Sequence, residues 1–412
     1  MSRTREHPLT RSIAGMLGLA LLGLIVVACV GSLPWTLGDQ ARADAAPMPR
    51  YDAGEPSRGR LPPAWVSPNA EQARRLNAMV DPGVVARIAA GEGVGPGELL
   101  DHPSAAAGGA LREHWPRWFL GTDAMGRSLL VRVLAGGGIS LAIGAAAALL
   151  SVVIGTLYGA TAGYLGGRVD DLMMRVVDVL YGLPYVLLVI LLAVASDALV
   201  EEWVSRGRER AAIVQQLARP ELASHPEAGG DVARLLSLES DLAGRLRDEA
   251  ARRAPPREIS APARRAIDTA LLLAAIGGVS WLTMARVIRG QVLSLKNQAF
   301  IEAARALGLP GRRVFFVHLL PNLAGPIIVY ATLTVPQAIL QESFLSFLGI
   351  GVKPPLPSWG NLASEGLVEL NPYQSNWWLL LFPCLMLGLT LLALNFVGEG
   401  LREAMDPRRT RR

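Results

Sequence analysis

The chain has 412 residues, 51% of them apolar and only 18% charged, with a formal net charge of +5. Soluble domains carry about 25% charged residues, and here the shortage is concentrated in long uncharged stretches, which argues against a soluble enzyme and for a polytopic membrane protein. The 43 Gly and 28 Pro follow no fixed period, which excludes a collagen-like chain, and the two cysteines, Cys29 and Cys384, lie in apolar runs, which excludes a disulfide framework or a cysteine metal cluster.

A bilayer core of about 30 Å needs about 20 apolar helical residues. Taken in chain order, six stretches meet that length: Ile13–Gly31, Gly138–Gly163, Val176–Val200, Ala266–Val287, Leu323–Val352 and Trp377–Val397. The first follows a basic segment, Met1–Arg11, and precedes small residues at Ala41–Ala46, so a cleaved signal peptide is the alternative. Its apolar run is longer than a usual signal core, and a membrane anchor is the preferred reading. The third stretch holds Asp178 and Asp197, and the fourth is edged by Asp268 and Arg286. The fifth is interrupted by Pro326, Pro336 and Glu342. Gly144, Gly155, Gly159 and Gly163 would let neighbouring helices approach the second stretch closely. Pro184, Pro326, Pro336 and Pro383 are expected to kink their helices. Gly136–Gly138 is read as a helix start or a place of close packing.

Between the spans lie two large polar segments. In the first, Pro47–Pro68 reads as loop, with short helices at Asn69–Met79 and Pro82–Ala90. In the second, Val232, Leu235, Leu238, Leu242 and Leu246 recur at spacings of 3 and 4, which predicts an amphipathic helix over Asp231–Ala251, after an earlier helix around Trp203–Ala218. A helical hairpin packed on itself or on the first segment is expected there. A docking surface for a partner is the alternative.

Short basic loops set orientation. Arg3, Arg5 and Arg11 precede the first span, Arg168 and Arg175 follow the second, and Arg286, Arg289, Lys296, Arg305, Arg312 and Arg313 follow the fourth. Arg402, Arg408, Arg409, Arg411 and Arg412 follow the sixth. With six spans these segments share one side, which places both termini in the cytoplasm. The segment 201–265 carries 12 Arg but also 11 Asp and Glu, and a loop of that length crosses largely regardless of charge.

Catalytic patterns are missing. There is no P-loop, no His-Glu-x-x-His and no Gly-x-Ser-x-Gly elbow, and the five histidines, His7, His102, His114, His225 and His318, form no ligand pair. Glu342 is an intramembrane carboxylate, either functional or a hydrogen-bonded packing residue.

The segment Glu302-Ala303-Ala304-Arg305-Ala306-Leu307-Gly308, followed nine residues later by His318-Leu319-Leu320-Pro321-Asn322, resembles the EAA loop of ABC importer permeases. Gln298–Leu307 is rich in helix formers, Gly308 suits a helix C-cap, Pro310 stops continuation, and Arg312 and Arg313 begin the next turn. Phe119–Arg127, with Gly121-Thr122-Asp123 and Gly126-Arg127, is similar to the LGTDxxGRD segment of the oligopeptide/dipeptide/nickel permeases, with Ser128 in place of its last Asp. Ala162–Gly167 with Asp171 and Met174-Arg175, Ser343–Gly349 with Pro357–Gly360, and Gly398–Arg402 with Asp406-Pro407 resemble further parts of that family, most nearly its C-type subunit.

The resemblance implies an all-α type I ABC importer permease fold of six transmembrane helices, with two enlarged extracytoplasmic segments. The expected divisions are 1–37 (tail and first helix), 38–137 (extracytoplasmic), 138–200 (helices two and three), 201–265 (extracytoplasmic helical insert) and 266–412 (helices four to six), with a coupling loop at 298–322. It implies a multi-pass subunit of the cell's inner membrane, paired with a second permease, two cytoplasmic ATPases and an extracytoplasmic solute-binding protein, and importing short peptides, nickel or a related solute. ATP would be bound by the partner, with no cofactor or catalytic residue on this chain, and no nucleic acid is expected. Glu302, Ala303, Ala304, Gly308, Arg312, Arg313, His318 and Pro321 become the ATPase-coupling candidates, with membrane lipid as another contact for the two arginines. The rival readings are a membrane scaffold and a proton-coupled transporter using Glu342.

Overall fold

The computed structural model describes residues 13–41, 47–101, 103–221, 225, 232–238, 240–256, 260–370 and 375–405. Arg3, Arg5, Arg11, Arg408, Arg409, Arg411, Arg412, the Asp406-Pro407 pair, the small residues at 42–46, His7, His102, Pro226 and Asp231 lie outside the described residues. The chain forms two compact units, one from Met1–Tyr185 with Ile276–Arg412, the other from Val186–Ala275.

The long helices are α1 (Ile13–Gly31), α2 (Leu129–Leu165), α3 (Gly167–Tyr181), α4 (Tyr185–Ser205) and α5 (Ala261–Lys296), followed by a short α6 (Ala299–Ala306), then α7 (Ala324–Phe347), α8 (Trp359–Val368) and α9 (Trp378–Met405). The only paired strands among the described residues are Asp39–Gln40 and Met48–Pro49, antiparallel with Asp39 opposite Pro49. Among the described residues, five helices are long and apolar enough to cross a membrane, and six if the interrupted pair Gly167–Tyr181 and Val186–Ser205 counts as one span. The continuous span expected over Val176–Val200 is therefore broken. Pro184 supplies no N–H and disfavours helical geometry at Leu183, so the helix stops at Tyr181 and restarts beyond.

The second expected span also differs: α2 begins at Leu129, nine residues before Gly138. Its 37 residues reach about 55 Å, well beyond a hydrocarbon core of about 30 Å. Arg132 lies inside it and would be intolerable in lipid, but it is 2% exposed and ion-paired. At the other end, Gly166 and Gly167 take positive φ of 67° and 55°, a conformation that costs glycine little, and so stop α2 and start α3 without a loop.

The glycines of α2 work as expected, as points of close approach. A Cβ at Gly155 would lie 2.6 Å from Met284 Cβ, and one at Gly163 would lie 2.9 Å from Val292 Cβ, both on α5. At Gly159 it would collide with the Ala285 carbonyl oxygen, and at Gly144 with Ile339 of α7. Gly136–Gly138 is a packing site inside α2 rather than its start. A Cβ there would stand 3.2 Å from the Ser358 backbone, 2.5 Å from the Trp359 ring and 2.7 Å from Leu33, respectively.

Two apolar cores hold the first unit at opposite ends of α2. Near Leu129, Ile25 and Cys29 of α1, Val133, Ile339, Trp359, Leu362, Trp378 and Leu379 close together. Near Leu165, α2 and α5 meet the segment after α5 through Met284, Ile288, Val292, Ile301, Val314 and Leu319. The polar segment before α2 has a small core of its own. The short helices Ala70–Ala78, Pro82–Glu92, Pro96–Asp101 and Ala105–Glu113 bury Val80, Val85, Leu99 and Leu111. Asn69 forms a capping box with Gln72, and Asp81 caps the next helix, which accounts for the two helices legible in the sequence.

In the second unit, Gly207–Glu221, Val232–Leu238 and Ser240–Arg253 pack on one another, with Ala218 and Leu235 buried against Val232, Leu242 and Leu246. Arg210 Nε donates to the Ala254 carbonyl at 2.9 Å, tying the ends of the hairpin. Of the predicted apolar residues, Val232, Leu235, Leu242 and Leu246 thus lie on the packed face of a hairpin.

Candidate functional site

The element between α5 and α7 is built around a glycine. α6 ends at Ala306, Leu307 caps it, and Gly308 follows at φ +74°. Gly308 N–H donates to the Arg305 carbonyl at 2.9 Å, and Leu309 N–H donates to the Ala304 carbonyl at 3.2 Å. This is a Schellman closure, with Gly308 one residue beyond the cap position. Leu309 packs into the core beside Ile301 and Ala304. Pro310 then opens a short helical turn, Gly311–Arg313. A π-helical turn over Val314–Leu319 continues it, which the sequence did not suggest.

The element has two faces. Ile301, Ala304, Val314 and Leu319 are at most 5% exposed, and burial of side chains of this size contributes about 1.5–3 kcal/mol each for the larger ones. Glu302, Ala303, Arg305, Gly308, Arg312, Arg313 and Pro321 face outward, and His318 is half-buried. Leu307 is 82% exposed, with Val317 and Phe316 also uncovered. The structure thus brings the coupling candidates onto one short element but divides them: Ala304 belongs to the inner face, His318 lies between the faces, and the others belong to the outer.

Several polar contacts fasten this element to the helices. Tyr164 OH, at the end of α2, donates to the Gly311 carbonyl at 2.8 Å, and its ring meets Phe315 edge-on at 5.3 Å. Lys296 Nζ donates to the Tyr164 carbonyl at 2.8 Å, placing a cation on the negative end of α2. Asp170 of α3 accepts two hydrogen bonds from Arg289 of α5, at 2.5 and 2.6 Å, and is 5% exposed. Arg286 donates to Asp178 at 2.8 Å and lies over the Tyr181 ring at 3.9 Å. Sequence reasoning singled out Asp171 and missed Asp170. The signal was present, because Asp170, Met174 and Val177 share the buried face of α3 at helical spacing.

Glu342 lies elsewhere, fully buried in α7. Ser346 Oγ donates to it at 2.7 Å and Ser343 Oγ at 3.3 Å. The hydroxyls of Ser140 in α2 and Ser358 before α8 lie beside the same carboxyl. Those hydroxyls in turn accept backbone N–H groups. Ser140 takes Trp359 at 3.2 Å, Ser346 takes Val352 at 3.0 Å and Ser358 takes Asn361 at 3.3 Å. The carboxyl and these hydroxyls thus form one buried polar group where α2, α7 and the start of α8 meet.

A charge cluster at the Leu129 end of α2 accounts for the Gly121–Arg127 motif. Asp123 accepts the N–H groups of Met125 and Arg127 at 2.9 Å each, Arg127 Nε at 2.7 Å and Arg132 Nη1 at 2.7 Å. Arg132 also reaches Glu365 of α8 through both terminal nitrogens, at 2.5 and 3.0 Å. Gly121 and Gly126 hold φ of +83° and +75° with backbone packed against both, so the motif is a folded turn that aims Asp123 inward. Nearby, Arg60 donates to Glu369 at 2.7 and 2.9 Å, and that bond holds the Glu369 carboxyl below the usual carboxylate range.

A helical chain with several helices apolar enough to cross a membrane, carrying a two-faced element anchored on their ends, has the form of a transporter's membrane subunit. Residues 151–411 match the family described as binding-protein-dependent transport system inner membrane component, and the chain belongs to that family. It is similar to the oligopeptide transport system permease protein OppC of Haemophilus influenzae, 39% identical over 290 residues, covering 70% of each chain. It is also similar to OppC of Escherichia coli K12, 40% identical over 292 residues (70% of this chain, 72% of that one), and to the dipeptide transport system permease protein DppC of Bacillus subtilis, 36% identical over 296 residues (72% and 69%).

Proposed function

We propose that this chain is one permease half of an ATP-driven importer of short peptides, driven through the 298–322 element. The single observation that carries the coupling assignment is the division of that element: one face seals the ends of α2 and α5, the other leaves Leu307, Phe316 and Val317 uncovered beside Glu302, Arg305, Arg312 and Arg313. Apolar side chains rimmed by charge mark a protein interface. The partner is a cytoplasmic ATPase, two copies of which serve this chain and a second permease, while an extracytoplasmic binding protein delivers the solute. The termini and the 298–322 element then face the cytoplasm, and the Asp123–Glu365 cluster faces outward. Names of relatives supply the substrate class: oligopeptides and dipeptides.

The mechanism follows from the anchorage. ATP binding favours one state of the ATPase dimer, and a ligand shifts an equilibrium only by its differential affinity for two states. Movement of the docked face pulls on Tyr164 through Gly311 and on α5 through the shared apolar core. The glycine contacts between α2 and α5 make these two helices move together. ATP hydrolysis stays on the partner, and this chain supplies the element with two arrangements. Reconstitution tests the reading. Proteoliposomes holding both permeases, both ATPases and the binding protein should accumulate tri-alanine only with ATP, and accumulation driven by a proton gradient without ATP would refute it.

A further inference from the structure

A cavity of about 510 Å³ in the first unit is bounded by the end of α3, by α5 and by α7. Its polar lining is Tyr181, Ser280, Thr283, Gln337 and Gln341. Ser280 and Thr283 share one face of α5 at spacing 3, and Gln337 and Gln341 share one face of α7 at spacing 4. The two helices meet there, with Ser280 Oγ 3.2 Å from Gln341 Oε1. Thr283 and Gln337 are exposed, although each sits well inside a helix apolar enough to cross a membrane. A carboxamide uncovered at that depth cannot face lipid, where an unsatisfied polar group costs several kcal/mol. It has to meet water, a polar ligand or a polar group of a neighbouring subunit.

The lining is also neutral. Its polar residues carry only hydroxyls and carboxamides, and aliphatic side chains such as Leu183, Leu282 and Leu340 complete the wall. Arg286, stacked on Tyr181, is engaged by Asp178. Carboxamides offer both donors and acceptors, as a peptide backbone does, and a wall without fixed charge retains no side chain by its sign. We propose that this cavity is a substrate-contacting surface of the pathway, with Thr283, Gln337 and Gln341 hydrogen-bonding the backbone amides of the transported peptide. The assignment rests on the importer reading and adds to it the contact residues and the reason one wall accepts peptides of unlike side chains.

The test uses the complete transporter in proteoliposomes, with exposed Cys384 changed to Ser and buried Cys29 retained. Thr283→Cys and Gln337→Cys are labelled with a membrane-impermeant thiol reagent, with Leu385→Cys on α9 as a lipid-facing comparison. The cavity positions should label at least about tenfold faster than position 385, since a thiol must be in water to ionise and react. Tri-alanine with its binding protein and ATP should then slow that labelling. Gln337→Leu with Gln341→Leu should cut tri-alanine turnover about tenfold, as expected for two lost hydrogen bonds. Labelling in the isolated chain that vanishes in the assembled transporter assigns this face to the second permease and overturns the proposal. Labelling in neither form does the same, as does labelling indifferent to peptide with wild-type turnover in the leucine variant. A wild-type transporter that moves no peptide fails the importer reading separately. In that case labelling reports a water-filled face and the peptide is overturned as its occupant.

Discussion

Asp123→Asn is the sharpest structural perturbation available, because one carboxylate serves four donors. The asparagine oxygen can still accept the Met125 and Arg127 amides, but its NH2 group then points at Arg127 Nε and Arg132 Nη1, which stood 2.7 Å away. Arg132 is 2% exposed, and its Nε already has no partner among the described residues, so its charge falls on Glu365 alone. Breaking a buried ion pair from one side costs about 3–5 kcal/mol, and the surviving Glu365 contact puts this case at the lower end, about 3 kcal/mol. The loss should be local to α8, which Arg132 holds through Glu365. Hydrogen exchange followed by mass spectrometry should show amides of Trp359–Val368 opening roughly a hundredfold more often, by the conversion of 1.36 kcal/mol per decade. A cycle with Glu365→Gln should show strong coupling between the two sites. Exchange within threefold of wild type in Asp123→Asn would refute the claim that this cluster secures α8.

Gly159→Leu should lower the melting temperature of the purified chain, at a cost of about 1–3 kcal/mol, because the new side chain meets the Ala285 backbone. Gly388→Leu, with open space around it, should leave the melting temperature unchanged. At Gly308 the two outcomes separate local strain from coupling. Gly308→Ala costs about 1–2 kcal/mol for its left-handed φ and keeps most transport, whereas Gly308→Trp, at an exposed position where an added Cβ meets nothing within 4 Å, should abolish transport by obstructing the partner. The Arg60–Glu369 pair gives an acid-sensitive contribution. The folded Glu369 pKa lies below its unfolded value, so the stabilisation is full above about pH 5 and is lost as pH falls through the depressed value. Arg60→Gln should remove that acid dependence from a melting series between pH 6 and 3.

The spans and the Gly308 turn were legible because their physics is local. Ile13–Gly31 is bounded as read, since nothing but apolar length defines it. The Gly308 closure follows from helix formers, a glycine and a proline in sequence. What escaped depends on partners distant in the chain. The second span was bounded at Gly138 by its uncharged length, and the helix runs on past Arg132 only because Asp123 and Glu365 make that charge tolerable. Glu342 read equally well as functional or structural, and its buried neighbours Ser140 and Ser358 were not legible because both are distant in the chain, Ser358 lying beyond the end of the helix that carries Glu342. The break at Gly182–Pro184 was visible as a proline but read as a kink, because the apolar run continues on both sides.

The central claim is that the outward face of the 298–322 element is where this subunit meets its ATPase. The most direct test is co-purification of the tagged chain from gently solubilised membranes, comparing wild type with Glu302→Ala and Gly308→Trp. Recovery of a P-loop ATPase and a second permease with wild type, and loss of the ATPase but not the permease with Gly308→Trp, is the predicted result. Undiminished ATPase recovery with both variants, or recovery of wild-type chain without any ATPase, would contradict it.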